Sequence, residues 1–330
     1  MDQDQRRLYH AAATWVLTAG AAVLAWKLRQ FFLLAFGALL VAILLRVLAS
    51  GISRLTGRGM RTSLAAAIFI VLAVIGAIMW RFGAALSGQF NELVSHIQGG
   101  VQSLKNTSHD SGFDWTDLVA EGTSLLTGSI GNLASSGLAF AEAALIIAVS
   151  AVYLSAEPDL YLRGLVRLLR PLGGEQLDRH IFTIGRALQR WLLAQLMLML
   201  LVGVLTLIAL WVIGLPNPVA LALIAGLAEA VPYVGPFLSA VPALLVAITL
   251  GWGPALWTAA AYIGIHMIEG YLAAPLIERY FVTIPPALVL SGIVLSALVF
   301  GTPGIVLAAP MTVAVYVAVR LLYGDEPELK

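Results

Sequence analysis

Ala230-Val231-Pro232-Tyr233-Val234-Gly235-Pro236 lies inside an apolar run from Pro218 to Leu250. As one straight helix, those 33 residues would measure roughly 50 Å, against about 30 Å for the hydrocarbon core of a bilayer. Pro232 and Pro236 remove two backbone donors, and in a continuous helix their rings would collide with the carbonyls of Ala228 and Pro232. The helix is therefore expected to break here. Non-helical backbone at membrane depth is tolerated only where protein buries it or where it lines a watery cavity. That makes the break the expected functional centre.

The rest of the composition agrees with a membrane setting. Of 330 residues, 60% are apolar and 11% are charged, where soluble domains average roughly 25% charged. The apolar residues come in continuous blocks of helix-spanning length, not in the short alternating segments of a transmembrane barrel. Cysteine is absent, which excludes disulfides, thiolate metal sites and a cysteine nucleophile. No basic cluster interleaved with aromatics points to nucleic acid. The expected fold is all-α and polytopic, with about six full transmembrane helices, two interrupted segments and interfacial amphipathic helices.

Spans are expected at Ala11 to Trp26, Phe31 to Leu45, Leu64 to Trp80, Ser136 to Ala156, Leu192 to Ile213 and Trp257 to Ala274. With the N-terminus inside, twelve arginines between Arg6 and Arg190 fall in the cytoplasm. Only Lys27, Arg29, Arg81 and Lys105 fall outside before the fifth span. The positive-inside rule selects that orientation, with both termini cytoplasmic. Phe82 to Ser135 is expected to be an extracytoplasmic pair of amphipathic helices joined by a polar loop. Arg163, Arg167 and Arg170 recur at helical spacing among leucines, the pattern of a cytoplasmic segment lying in the inner interface over residues 157–190. Residues 1–190 thus read as a scaffold and 191–323 as a transport part.

The proline punctuation repeats. Pro218 to Pro242 spans 24 positions, and so does Pro286 to Pro310, with Phe300-Gly301-Thr302-Pro303-Gly304 in the middle of the second copy. Paired, glycine- and proline-interrupted apolar segments mark the binding sites of many transporters. Each interrupted segment, 218–250 and 286–322, is either a broken span or a re-entrant hairpin. The hairpin fits the lengths better, because Leu221 to Val231 and Ala287 to Phe300 are too short to cross.

These residues resemble the autoinducer-2 exporter family of permease-like bacterial inner-membrane proteins. The likeness rests on Gly226-Leu227 leading into Val231-Pro232-Tyr233-Val234-Gly235-Pro236, on Ile268-Glu269-Gly270 followed by Pro275, and on Phe300-Gly301-x-x-Gly304 followed by Leu307-Ala308-Ala309-Pro310. The entry Gly214-Leu215-Pro216-Asn217-Pro218 is similar too. The resemblance implies a homo-oligomer, a pentamer, in which two helical hairpins hold a small polar solute and move against a scaffold in an elevator-like cycle. It implies autoinducer-2 export in some members and sodium/proton exchange in others. Glu229 departs from the amide or apolar residue expected before the proline motif.

Ionisable groups inside spans are costly and are functional candidates by default. Glu229 lies three residues before Pro232, near an Ala228 carbonyl expected to lack its donor, and can bind a cation, take a proton, bond a polyol or simply fix the hairpin. His266 and Glu269, at i and i+3, share a helix face and form either a proton relay or a structural hydrogen bond. Two residues alone make no zinc site, so no metal or cofactor is expected. Glu142 is expected near the outer interface as a structural residue. The candidate solute site comprises Glu229, Pro232, Tyr233, Gly235, Pro236, Gly301, Pro303, Gly304 and Pro310; the candidate proton or cation coupling set comprises Glu229, His266 and Glu269. No hydrolase or ATP-binding motif occurs, so an enzyme is not expected. Three functions remain: export of a small polar solute such as autoinducer-2, sodium/proton antiport, or membrane assembly and regulation without transport.

Because the chain lacks cysteine, topology is directly testable. In a re-entrant hairpin, Gly253→Cys labels from outside and Arg279→Cys from the cytoplasm; the reversed pattern contradicts the hairpin.

Overall fold

The computed structural model describes residues 26–73, 137–173, 176–273 and 284–323, with isolated positions at 15, 18, 20, 23, 24, 76, 77 and 276. Most of the expected first span and all of the Phe82 to Ser135 region lie outside the described residues, as do Pro275 and Arg279. Every regular element among the described residues is helical. In chain order these are α1 (Arg29–Thr56), α2 (Met60–Ala73), α3 (Gly137–Ala156), α4 (Pro158–Gly173), α5 (Leu177–Ile213), α6 (Pro218–Ala228), α7 (Gly235–Thr249), α8 (Trp252–Ile268), α9 (Pro286–Phe300) and α10 (Thr302–Leu322).

Among the described residues, α1, α5 and α10 are long and apolar enough to cross a membrane. A fourth span results if the apolar part of α3 and the start of α4, which meet at 92°, count together. That bend falls where the apolar sequence of α3 gives way to the arginine-bearing sequence of α4. The long helix α5 departs from expectation. It runs unbroken for 37 residues from Leu177, so the expected start at Leu192 and the division at residue 190 both fall inside one helix. No proline interrupts it, and Thr183, Ala187, Leu188 and Leu192 are buried while Arg186 stacks over the Phe182 ring at 4.7 Å.

Three apolar clusters set the architecture. Ala42, Leu45 and Ala49 of α1 pack with Leu64 and Ala67 of α2 and Ala151 of α3, small residues that let helices approach closely where apolar burial alone gives no drive. Leu210, Leu215, Ala220, Leu221, Val246, Ala247 and Ala255 gather where α5 ends, α6 begins, α7 ends and α8 begins. A segment whose two ends share one cluster has folded back on itself. At the opposite end of α5, Ala187, Leu188 and Leu192 pack with Val317 and Leu321 of α10 and with Ile284, just before α9.

So the second interrupted segment also folds back, and it opens at the other end of α5. Its two arms are so close that a Cβ on Gly292 would lie 2.0 Å from Thr312 Oγ1. The two folded segments touch where Val231, in the first break, packs with Ile293 and Ala308 on the arms of the second. Exposed Trp211, Trp252 and Trp257 ring the end where α5 gives way to α6 and α8 starts, as aromatic side chains do at a membrane–water interface.

Both reversals depend on a missing side chain. A Cβ on Gly235 would stand 2.4 Å from the Ala228 carbonyl oxygen, and one on Gly304 2.4 Å from that of Ser296. Neither neighbour is a side chain that can swing aside. Gly301, with φ 73° and ψ −158°, occupies backbone space that is open essentially to glycine alone. Overpacking of this kind costs about 1–3 kcal/mol or more. Gly235→Ala and Gly304→Ala are therefore expected to lower the thermal unfolding midpoint in detergent, while Gly253→Ala, with open space around it, leaves it unchanged.

Candidate ion and solute site

The first break is built from turns. After α6 stops at Ala228, Ala230 N–H donates to Leu227 at 3.1 Å, Val231 N–H to Ala228 at 3.0 Å and Gly235 N–H to Val231 at 2.8 Å. The Ala228 carbonyl is thus satisfied, which corrects the expectation that Pro232 leaves it without a donor: the chain tightens by one residue before the proline. Tyr233 adopts φ 67°, a left-handed conformation that costs a bulky residue of order 1–3 kcal/mol. Surrounding structure must hold it there. The carbonyl of Glu229 receives the Nε2–H of Gln195, a buried amide on α5.

Glu229 itself is 3% exposed. Its carboxylate reaches the C-terminal end of α8, where His266 Nδ1–H donates to Glu269 Oε2 at 2.7 Å. One ligand atom can be chosen from each of Glu229, His266 and Glu269 such that all lie within 4.8 Å of one another. Glu269 also opens a π-helical turn, Glu269–Ala273, a rare local widening often found at functional sites. Two departures from regular helix thus converge on one polar point. Glu229 Oε2 and His266 Nε2 are both buried without a hydrogen-bond partner.

A model of the AI-2E family transporter matches residues 13–324. The chain belongs to this family. Two Bacillus subtilis (strain 168) proteins are similar: "Putative transport protein YrrI", 33% identical over 39% of this chain and 36% of its own length, and "Putative transport protein YueF", 26% identical over 73% and 68%. The chain thus aligns with little more than a third of the first of these relatives. AI-2E membership makes the chain part of a family of transporters, in keeping with the all-helical fold and its membrane-length helices.

Within this AI-2E chain, the coupling residues expected from sequence come together, and the pair His266 and Glu269 acquires Glu229 as a third member. Other expected residues line the breaks without joining that cluster. Pro232 is half-buried, Tyr233 exposed and Gly235 buried, while Pro236 sits in the first turn of α7. Gly301 and Pro303 are exposed, and Gly304 and Pro310 are buried in α10. Glu142 is exposed on α3 and takes no part.

Gln195 is a residue of the site that the sequence alone does not single out. An amide inside an apolar span is the available signal, but its partner, a backbone carbonyl 34 positions away, has no local signature. Gln195→Leu strands that buried carbonyl, at an expected cost of about 1–3 kcal/mol in detergent unfolding. Gln195→Asn, one methylene shorter, should recover only part of it.

Proposed function

We propose that the chain is an ion-coupled secondary transporter in which Glu229, His266 and Glu269 take up a cation or a proton. The cluster itself carries this reading: two carboxylates and an imidazole meet at a helix break, with Glu229 buried and His266 and Glu269 half-buried. Ionisable groups at such depth are costly and are kept where they bind or relay charge. Transporter sites recur at paired broken helices, whose free backbone groups bind the solute.

The solute, in this proposal, is a small polar molecule held at the tips of two re-entrant hairpins, around Pro232 to Pro236 and Gly301 to Gly304. Autoinducer-2 is the candidate that the family resemblance supplies, with export as the direction. The opposed openings of the two folded segments along α5 support an elevator-like exchange between the two faces of the membrane. A homo-oligomer in the bacterial inner membrane, with both termini cytoplasmic, completes the proposal. Sodium/proton antiport is the second reading, favoured by the same cluster because antiport needs no further solute.

Purified protein in liposomes separates these readings. Autoinducer-2 efflux accompanied by proton or cation movement supports coupled export; sodium-dependent pH change without a solute supports antiport. In either case Glu229→Gln should reduce coupled movement at least about tenfold, since it removes a charge made for the transported ion. Solute flux that carries no ion, or equal activity in the variant, contradicts the proposal.

A further inference from the structure

We propose that Glu229, His266 and Glu269 bind a divalent metal ion of the borderline class, with Zn2+ as the reference ion. The donors are the first argument. Magnesium and calcium are held by oxygens, whereas an imidazole nitrogen suits zinc and its neighbours. Three protein ligands with one open position are the pattern of zinc sites that exchange a fourth ligand.

Geometry is the second. Tetrahedral ligands at about 2.0–2.2 Å from a metal stand about 3.3–3.6 Å apart. The three atoms already lie within 4.8 Å of one another, so rotations of the two long glutamates close the remaining gap. His266 Nδ1 stands 2.7 Å from Glu269 Oε2, so it is the ring nitrogen that faces the carboxylates, and the ion takes the place of the proton between them.

The third argument is burial. Glu229 is 3% exposed, and its Oε2 is buried with no hydrogen-bond partner. A cation between Glu229 and the α8 pair supplies one. Charge then sets its valence: ligands bind a metal in their deprotonated forms, so in the bound state the two carboxylates sum to −2, which a divalent ion cancels and sodium leaves half unbalanced. In a low-dielectric interior that residue of charge is heavily penalised.

This proposal deepens the ion-coupled reading by naming the class of ion, and it rests on that reading only for the claim that the ion is carried. The test uses the purified full chain in detergent. Equilibrium dialysis against Zn2+, in the presence of excess sodium, should give one saturable ion per chain. Glu229→Gln, His266→Gln and Glu269→Gln should each weaken it at least about a hundredfold, more than the effect of losing an outer-shell partner. Co2+ on the unmutated protein should show the intense visible bands of low-coordinate nitrogen and oxygen ligation, a readout that does not depend on any variant folding. Absence of saturable Zn2+ binding overturns the site, as does binding that all three variants retain or that sodium displaces at equal concentration. Zn2+ binding without ion-coupled flux in liposomes keeps the site and removes the transport reading; sodium-coupled flux without Zn2+ binding does the reverse.

Discussion

A helix that ends inside a bilayer leaves backbone donors and acceptors where no water can reach them, and each must find a partner within the protein. The segment between Ala228 and Gly235, proposed to lie at membrane depth, partners its backbone with its own turns and with one borrowed donor, the Gln195 amide. Much of the surrounding architecture follows from this. The reversal needs Gly235, since any side chain would strike the Ala228 carbonyl, and it sends α7 back to the end from which α6 came. A second reversal at Gly301 repeats the solution from the other end of α5, and the two meet at Val231.

The turns also fix where Glu229 points. Its backbone is tied to α5 while its side chain extends to α8, so one residue links the break to His266 and Glu269. The chain belongs to a family of transporters, and in the function proposed above the cluster supplies the atoms that an ion would use.

Much of this was legible in the sequence because proline, glycine and charge act locally. Pro232 and Pro236 announced a break that a run of 33 apolar residues already required, and the 24-residue spacing from Pro218 was echoed from Pro286. His266 and Glu269 were visible as a pair because helical spacing puts them on one face. Glu229 was legible as a candidate for the same coupling role, but not its direct approach to the pair. Contacts across tens of residues depend on how three helices pack, and no local pattern records that. The unbroken course of α5 was hidden for a different reason: Arg179, Arg186 and Arg190 count toward the cytoplasmic side and so place residues up to 190 outside the span, yet Ala187 and Leu188 among them bury against α1 and α10. The supposed orphan at Ala228 failed because proline geometry predicts which carbonyl loses its regular donor, not which turn replaces it.

The central claim is that Glu229 and the α8 pair form one physical unit. A double-mutant cycle on detergent unfolding, with Glu229→Gln, Glu269→Gln and the double variant, tests it most directly. Groups in one network couple by about 0.5–3 kcal/mol, whereas distant sites add to within about 0.5 kcal/mol. Coupling of about 1 kcal/mol or more, of either sign, is the predicted result; strict additivity would contradict the account.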